Sequence, residues 1–208
     1  MNVTVLGAGA WGTAFGQVLA DAGNQVTMWA IEPQIVEGIR SNHRNEVRLP
    51  IVERLPENIT ATGDRAEAVA NADIVVVAIA AQFARVALEE FVGKIPQNAI
   101  VVSLMKGIER TTGKRMDEVV CEALNLPRNR FAALSGPNLS KEVALRQHAA
   151  AVVACENRAN AEVVAKACSN SYFKAFVSTD VIGVEMCGSL KNVDSSYGLQ
   201  ASRIAQSH

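Results

Sequence analysis

Residues 1–12 read Met1-Asn2-Val3-Thr4-Val5-Leu6-Gly7-Ala8-Gly9-Ala10-Trp11-Gly12, a short apolar run that turns directly into G-x-G-x-x-G. Val3, Val5 and Leu6 suit a parallel strand buried on both faces, where the alternation of polar and apolar residues is lost. Gly7 allows a tight turn, and Gly9 lets backbone N–H groups approach a pyrophosphate. Gly12 allows the following helix to pack closely on the strand. That helix, roughly Trp11 to Asp21, aims the positive end of its dipole at the phosphates. Many loops carry such a glycine pattern, so its context decides its meaning. Here a strand precedes it and a helix follows, then a Gly23-Asn24 turn and a second apolar run from Val26 to Ala30. The order predicts a dinucleotide-binding β-α-β unit.

The second strand leads to the position that selects the cofactor. Glu32 stands twenty residues after Gly12, where an acid accepts hydrogen bonds from the adenosine ribose 2′-OH and repels a 2′-phosphate. Glu32 equally suits the cap of the next helix, with Pro33 in its first turn. Ile31 supplies no positive charge, and Arg40 and Arg44 are the nearest guanidinium groups considered. NAD is favoured over NADP on this reading.

Bulk properties agree with a soluble enzyme. A chain of 208 residues with net charge −1 can bury a substantial core and carries no basic stripe, which argues against nucleic-acid and membrane-surface partners. No apolar stretch reaches the length of a membrane span, and the opening strand leaves no room for a signal peptide. Cys121, Cys155, Cys168 and Cys187 form no C-x-x-C pair and read as reduced small hydrophobes of a cytoplasmic protein. His43, His148 and His208 lack partners at ligand spacing, so no metal site is expected.

Strand and helix signals continue to alternate. Helical patterns cover Val36–Ser41, Arg65–Ala70, Phe83–Val92, Met116–Leu124, Ser140–Arg146 and Ala159–Ser169. Strand patterns cover Ile74–Ile79, Ala99–Ser103, Phe131–Leu134, Ala149–Ala154 and Phe173–Val177, and Asn42–Pro56 reads as a polar, proline-bounded loop. The fold class is α/β, a doubly wound Rossmann-type sheet whose ligands bind beyond the carboxyl ends of the strands. Chemistry is therefore expected just after those strands. Lys106 follows one strand beside Gly107 and can point its ammonium into the cleft. Ser135-Gly136-Pro137-Asn138-Leu139-Ser140 follows another, with Asn138 or Ser140 able to cap a helix or donate to a ligand. Lys191 lies on a helix starting near Asp180, close to its apolar face, where desolvation would lower an amine pKa toward proton-transfer values.

Taken together, G-A-G-A-W-G-T at 7–13, N-H-R-N…L-P at 42–50, S-L-M-K-G-I-E at 103–109, S-G-P-N at 135–138 and G-V-E-M-C-G-S-L-K-N at 183–192 resemble the NAD(P)-dependent glycerol-3-phosphate dehydrogenases. The resemblance runs over essentially all of residues 1–193. It implies a nucleotide domain followed by an all-helical substrate domain, and NAD(P)-linked interconversion of sn-glycerol 3-phosphate and dihydroxyacetone phosphate for phospholipid synthesis. It further implies that Lys191 is the catalytic proton acceptor and that Lys106, Gly136, Asn138 and Lys191 contact a small phosphorylated substrate. Cofactor contacts would come from Gly7, Gly9, Ala10, Trp11, Gly12, Ile31, Glu32, Lys106 and Ser140. Two positions depart from the family pattern: Asn138 often has a hydroxyl counterpart, and Ile31 replaces a basic or imidazole side chain.

Beyond Asn192-Val193 the family continues as an apolar, glycine-punctuated helix, whereas residues 194–208 are polar and lack that pattern. The expected organisation is therefore an NAD(P)-binding domain over 1–179. Residues 180–208 would then be the first helix of a missing all-helical substrate domain, truncated with a divergent tail and of little activity. An apolar helix face without its packing partner would invite self-association as a homo-oligomer. Two other readings stay open: a non-catalytic nucleotide-binding module, and a related reductase of another small phosphate or carboxylate, such as a ketopantoate reductase.

Overall fold

The computed structural model describes residues 1–189. Its centre is an eight-stranded sheet in the order β3-β2-β1-β4-β5-β6-β7-β8, built from β1 (Asn2–Leu6), β2 (Gln25–Trp29), β3 (Ile59–Thr62), β4 (Ile74–Val77), β5 (Ile100–Ser103), β6 (Phe131–Ser135), β7 (Ala149–Ala154) and β8 (Phe173–Ser178). Neighbours from β3 to β6 are parallel, with Val5 opposite Met28 on one side and Val76 on the other. The helices are α1 (Ala10–Asp21), α2 (Pro33–Asn42), α3 (Arg65–Val69), α4 (Ala84–Glu89), α5 (Met116–Leu124), α6 (Ser140–Ala144) and α7 (Arg158–Cys168), with a further helical stretch over 181–189.

The β-branched runs are buried on both faces because alternate residues feed two separate cores. Val3, Val5, Ile74, Val76, Ile100 and Val102 pack with Phe15, Val18 and Phe173 on one face. Leu6, Val75, Val77 and Val101 pack with Leu88, Phe91 and Val119 on the other. Continuous apolar strands are what such a doubly covered sheet demands. Trp29 closes the second core edge-to-face on Phe91, with ring centroids 5.1 Å apart, while its indole N–H donates to the Gly63 carbonyl at 3.1 Å.

The fold departs from the sequence expectations at three places. β3 was not anticipated, because four residues after a proline-bounded loop are too short to show a period. The helix expected over Phe83–Val92 is a single tight turn at Ala81–Phe83 followed by the short α4, and the chain then turns through Gly93 at φ +71°. β7 runs antiparallel to β6, and β8 parallel to β7. The connection through α6 leaves the chain at the carboxyl end of β6, so β7 starts there and runs back, with Val152 opposite Ser135 and Ala154 opposite Ala133.

Candidate functional site

The order β2-β1-β4 contains the topological switch point, and the glycine turn lies at its carboxyl end. Gly7 takes φ +112°, and a Cβ there would sit 2.6 Å from the Ala78 carbonyl oxygen at the end of β4. A Cβ on Gly12 would sit 2.0 Å from the Gly7 carbonyl oxygen, so α1 can approach β1 only with glycine at this position. Gly9 differs: a Cβ there would meet nothing within 4 Å. The space over Gly9 is therefore open to a ligand, and the backbone at the start of α1 faces it. These three glycines form a cradle that fits a pyrophosphate.

Two cavities meet at Gly9. One, of about 480 Å³, is lined by Gly9, Trp11, Gly12, Lys106, Asn138 and Ser140. The other, of about 600 Å³, is lined by Gly7, Gly9, Ala10, Ile31, Glu32 and Arg48, with Val47 and Phe83. The fold thus gathers Trp11, Lys106, Asn138 and Ser140 around one space and Ala10, Ile31 and Glu32 around the other. Lys106 Nζ donates to the Gly136 carbonyl at 2.9 Å, and a Cβ on Gly136 would come within 2.4 Å of the Ala150 carbonyl oxygen. Gly136 thereby contributes close approach and a carbonyl rather than a side chain. The side-chain amide nitrogen of Asn138 is buried with no hydrogen-bond partner among the described residues. An orphaned donor of this kind costs about 1–3 kcal/mol, and it lies against Gly136, 2.9 Å from where a Cβ would be. Neither Asn138 nor Ser140 caps α6; the cap position is Leu139 and no side chain bonds there.

The cavity around Glu32 was only half legible. Glu32 occupies the cap position of α2, yet its side chain makes no capping bond. Its carboxylate instead accepts from Arg48 Nη2 at 2.7 Å, and that bond holds its carboxyl below the ordinary carboxylate range. Arg48, rather than Arg40 or Arg44, is the guanidinium beside it. The 42–56 loop is placed by Asn45, whose buried side-chain amide donates to the Ala8 carbonyl at 2.9 Å and the Thr13 hydroxyl at 2.8 Å. Asn45 Oδ1 also accepts the Arg48 backbone N–H at 3.1 Å. This one residue ties the loop to the glycine turn. The N-H-R-N…L-P motif was its sequence signal, without indicating what it holds.

The helical stretch over 181–189 returns across the strand ends. Gly188 packs so closely that a Cβ would lie 2.7 Å from the Ser135 hydroxyl oxygen and 3.7 Å from Lys106 Cγ. Glu185 docks this stretch on the first turn of α5, where its carboxylate accepts the Asp117 backbone N–H at 3.1 Å. The Asp117 side chain is held in turn by Arg115 at 2.9 and 3.1 Å and by Arg128 at 3.0 Å. Lys191, Asn192 and the tail over 194–208 lie outside the described residues.

Burial pushes the Glu185 carboxyl up to about 7, and the Asp117 charge adds to the rise against the Asp117 and Met116 amides and the Arg115 guanidinium. A carboxyl whose pKa is raised on folding binds its proton more tightly in the native state, so stability falls as pH rises from the unfolded toward the folded value. Urea-unfolding free energy is expected to decline by about 2–3 kcal/mol between about pH 5 and about pH 8. Glu185→Gln keeps an acceptor for the Asp117 amide and should flatten that decline. Equal slopes in parent and variant would show that Glu185 titrates normally.

A family model described as the NAD-dependent glycerol-3-phosphate dehydrogenase N-terminus matches residues 2–161. The chain is 78% identical over 192 residues to a Bifidobacterium longum (strain DJO10A) protein named glycerol-3-phosphate dehydrogenase (NAD(P)+), covering 92% of this chain and 58% of that protein. It is 48% identical over 193 residues to the protein of that name from Thermobifida fusca (strain YX), covering 92% of this chain and 57% of the relative. Among solved structures, glycerol-3-phosphate dehydrogenase from Coxiella burnetii superposes with a TM-score of 0.84 at 27% identity, over 92% of this chain and 58% of that one. The chain spans 58% of the length of the B. longum relative. The glycine cradle, the Lys106 and Gly136 segments and the docked 181–189 stretch thus stand on a framework shared with these proteins, and the chain belongs to the NAD(P)-dependent glycerol-3-phosphate dehydrogenase family.

Proposed function

We propose that this chain forms the dinucleotide-binding part of a cytoplasmic enzyme that interconverts sn-glycerol 3-phosphate and dihydroxyacetone phosphate, serving phospholipid synthesis. The observation that carries the reading is the pair of cavities meeting over Gly9. Their arrangement matches a ligand with two bulky ends joined by a pyrophosphate. Val47, Phe83 and Ile31 are exposed apolar side chains suited to the faces of an adenine. Residues 1–179 form the NAD(P) domain on this reading, and residues from 180 onward open a helical substrate unit that also supports a homo-oligomer.

When bound, the nicotinamide supplies hydride transfer to or from the substrate carbon. The chain's own groups bind and orient. Lys106 places positive charge on the rim of the cavity, where a substrate phosphate or carbonyl oxygen would lie, and Asn138 lines the same cavity beside it. Lys191, six residues along the chain from Glu185, takes the hydroxyl proton in oxidation and returns it in reduction. Calorimetric titration of the 208-residue chain with NADH and with NADPH should give saturable binding at the Gly7–Gly12 turn. Absence of binding by both at about 1 mM ligand, the weak end of specific affinity, overturns the reading.

A further inference from the structure

We propose that Arg48 and Glu32 form an exchangeable ion pair through which one adenosine site accepts both a ribose 2′-hydroxyl and a ribose 2′-phosphate, with Arg48 the residue that recognises the phosphate. The inference rests on the dinucleotide reading above and deepens it. Both side chains line the same cavity as Ile31, Val47 and Phe83, so their charges sit where the adenosine ribose of a bound dinucleotide must lie. The pair uses Glu32 Oε1 and Arg48 Nη2 at 2.7 Å. The other carboxylate oxygen accepts no side-chain hydrogen bond from the described residues and can take a ribose hydroxyl while the pair stays closed.

An acid alone at this position excludes a 2′-phosphate by repulsion. Arg48 changes that outcome. The side chains of the pair are 49% and 37% exposed for Arg48 and Glu32, and an ion pair so open to water is weak and opens easily. A phosphate, with more charge and more acceptor oxygens than a carboxylate, is the better partner for the planar fork of a guanidinium. Arg48 can therefore leave Glu32 for the phosphate, and Glu32 can turn toward solvent. The backbone beneath stays in place because Asn45 fixes it to the glycine turn through Ala8 and Thr13. The specificity device is thus a mobile side chain on an anchored loop.

The test compares ADP-ribose with 2′-phospho-ADP-ribose, which share the adenosine and pyrophosphate and lack the nicotinamide, by calorimetry on the parent chain, Arg48→Ala and Glu32→Gln. Arg48→Ala should weaken the phosphorylated ligand about tenfold or more, the scale of one charge-assisted contact, and change ADP-ribose by less than about threefold. Glu32→Gln should tighten the phosphorylated ligand and weaken ADP-ribose. Removing Arg48 in the Glu32→Gln background should then cost the phosphorylated ligand more than it does in the parent, because no carboxylate competes there. Equal changes for the two ligands in Arg48→Ala, or an unchanged affinity for the phosphorylated one, overturn the exchange while leaving the dinucleotide site standing. Failure of both ligands to bind the parent chain overturns the site itself. Circular dichroism melting of the variants separates binding loss from unfolding, since both positions lie at the surface.

Discussion

Gly12→Ala should lower the stability of the chain by about 3 kcal/mol or more, at or above the upper end of ordinary overpacking, whereas Gly9→Ala should leave stability unchanged and weaken NADH at least about tenfold. The two glycines are three residues apart and belong to one motif, yet their surroundings differ. The Gly12 Cβ would be 2.0 Å from the Gly7 carbonyl oxygen and 3.2 Å from its carbon. Both are backbone atoms, so no rotamer change relieves the clash, and α1 must lift from β1. Gly9 has φ −69° and ψ 177°, a conformation open to any residue, and space above it. A methyl there meets only the incoming ligand. Thermal melting and NADH titration read the two effects separately; for a domain of this size the Gly12 penalty corresponds to roughly 6–12 °C in Tm. Comparable melting temperatures for Gly12→Ala and the parent would show that the helix–strand contact is not as tight as described. Unchanged NADH affinity in Gly9→Ala would remove Gly9 from the pyrophosphate path.

The 208-residue polypeptide, expressed by itself, should bind NADH yet oxidise it negligibly with dihydroxyacetone phosphate. It spans 58% of the length of a relative carrying the dehydrogenase name. Among the described residues, the cavity beside the glycine turn carries Lys106, Asn138 and Ser140 as its polar side chains. Orienting a small phosphorylated substrate against the cofactor is worth roughly 7–11 kcal/mol of barrier. Three such side chains supply little of that orientation. A stopped assay of NADH consumption decides the matter. Turnover on the order of ten per second, ordinary for an enzyme, would mean that the orienting groups lie within these residues or come from a second copy. In that event Lys191→Ala should abolish the turnover while leaving NADH affinity unchanged.

The glycine cradle was legible because its signals are local. A strand, a turn and a helix within twenty-one residues carry their own periodicity and their own glycines. Lys106, Gly136 and Asn138 were legible as residues that follow strands, since the doubly wound rule places strand ends on one rim. What they do there was less so. Gly136 was expected as a substrate contact, and the structure adds that a Cβ there would come within 2.4 Å of the Ala150 carbonyl oxygen, leaving no room for a side chain. Asn138 read more readily as a helix cap than as a ligand contact, and the structure removes the capping role, since Leu139 holds that position and no side chain bonds there.

The sequence by itself determined β1, β2, β4, β5 and β6 of the parallel part of the sheet and the glycine turn, because buried parallel strands need unbroken apolar runs and a pyrophosphate needs bare backbone. It left the direction of β7 undetermined, since an apolar run carries no mark of which way its neighbour runs. It also left Arg48 in a loop sixteen residues from Glu32 and Glu185 sixty-eight residues from the helix end it caps. No periodicity links such distant positions. Only the tertiary structure brings them together, through Asn45 on the glycine turn in one case and the return of the 181–189 stretch over α5 in the other. Charge pairing and burial of that kind depend on which surfaces meet, and that is decided when the layers pack.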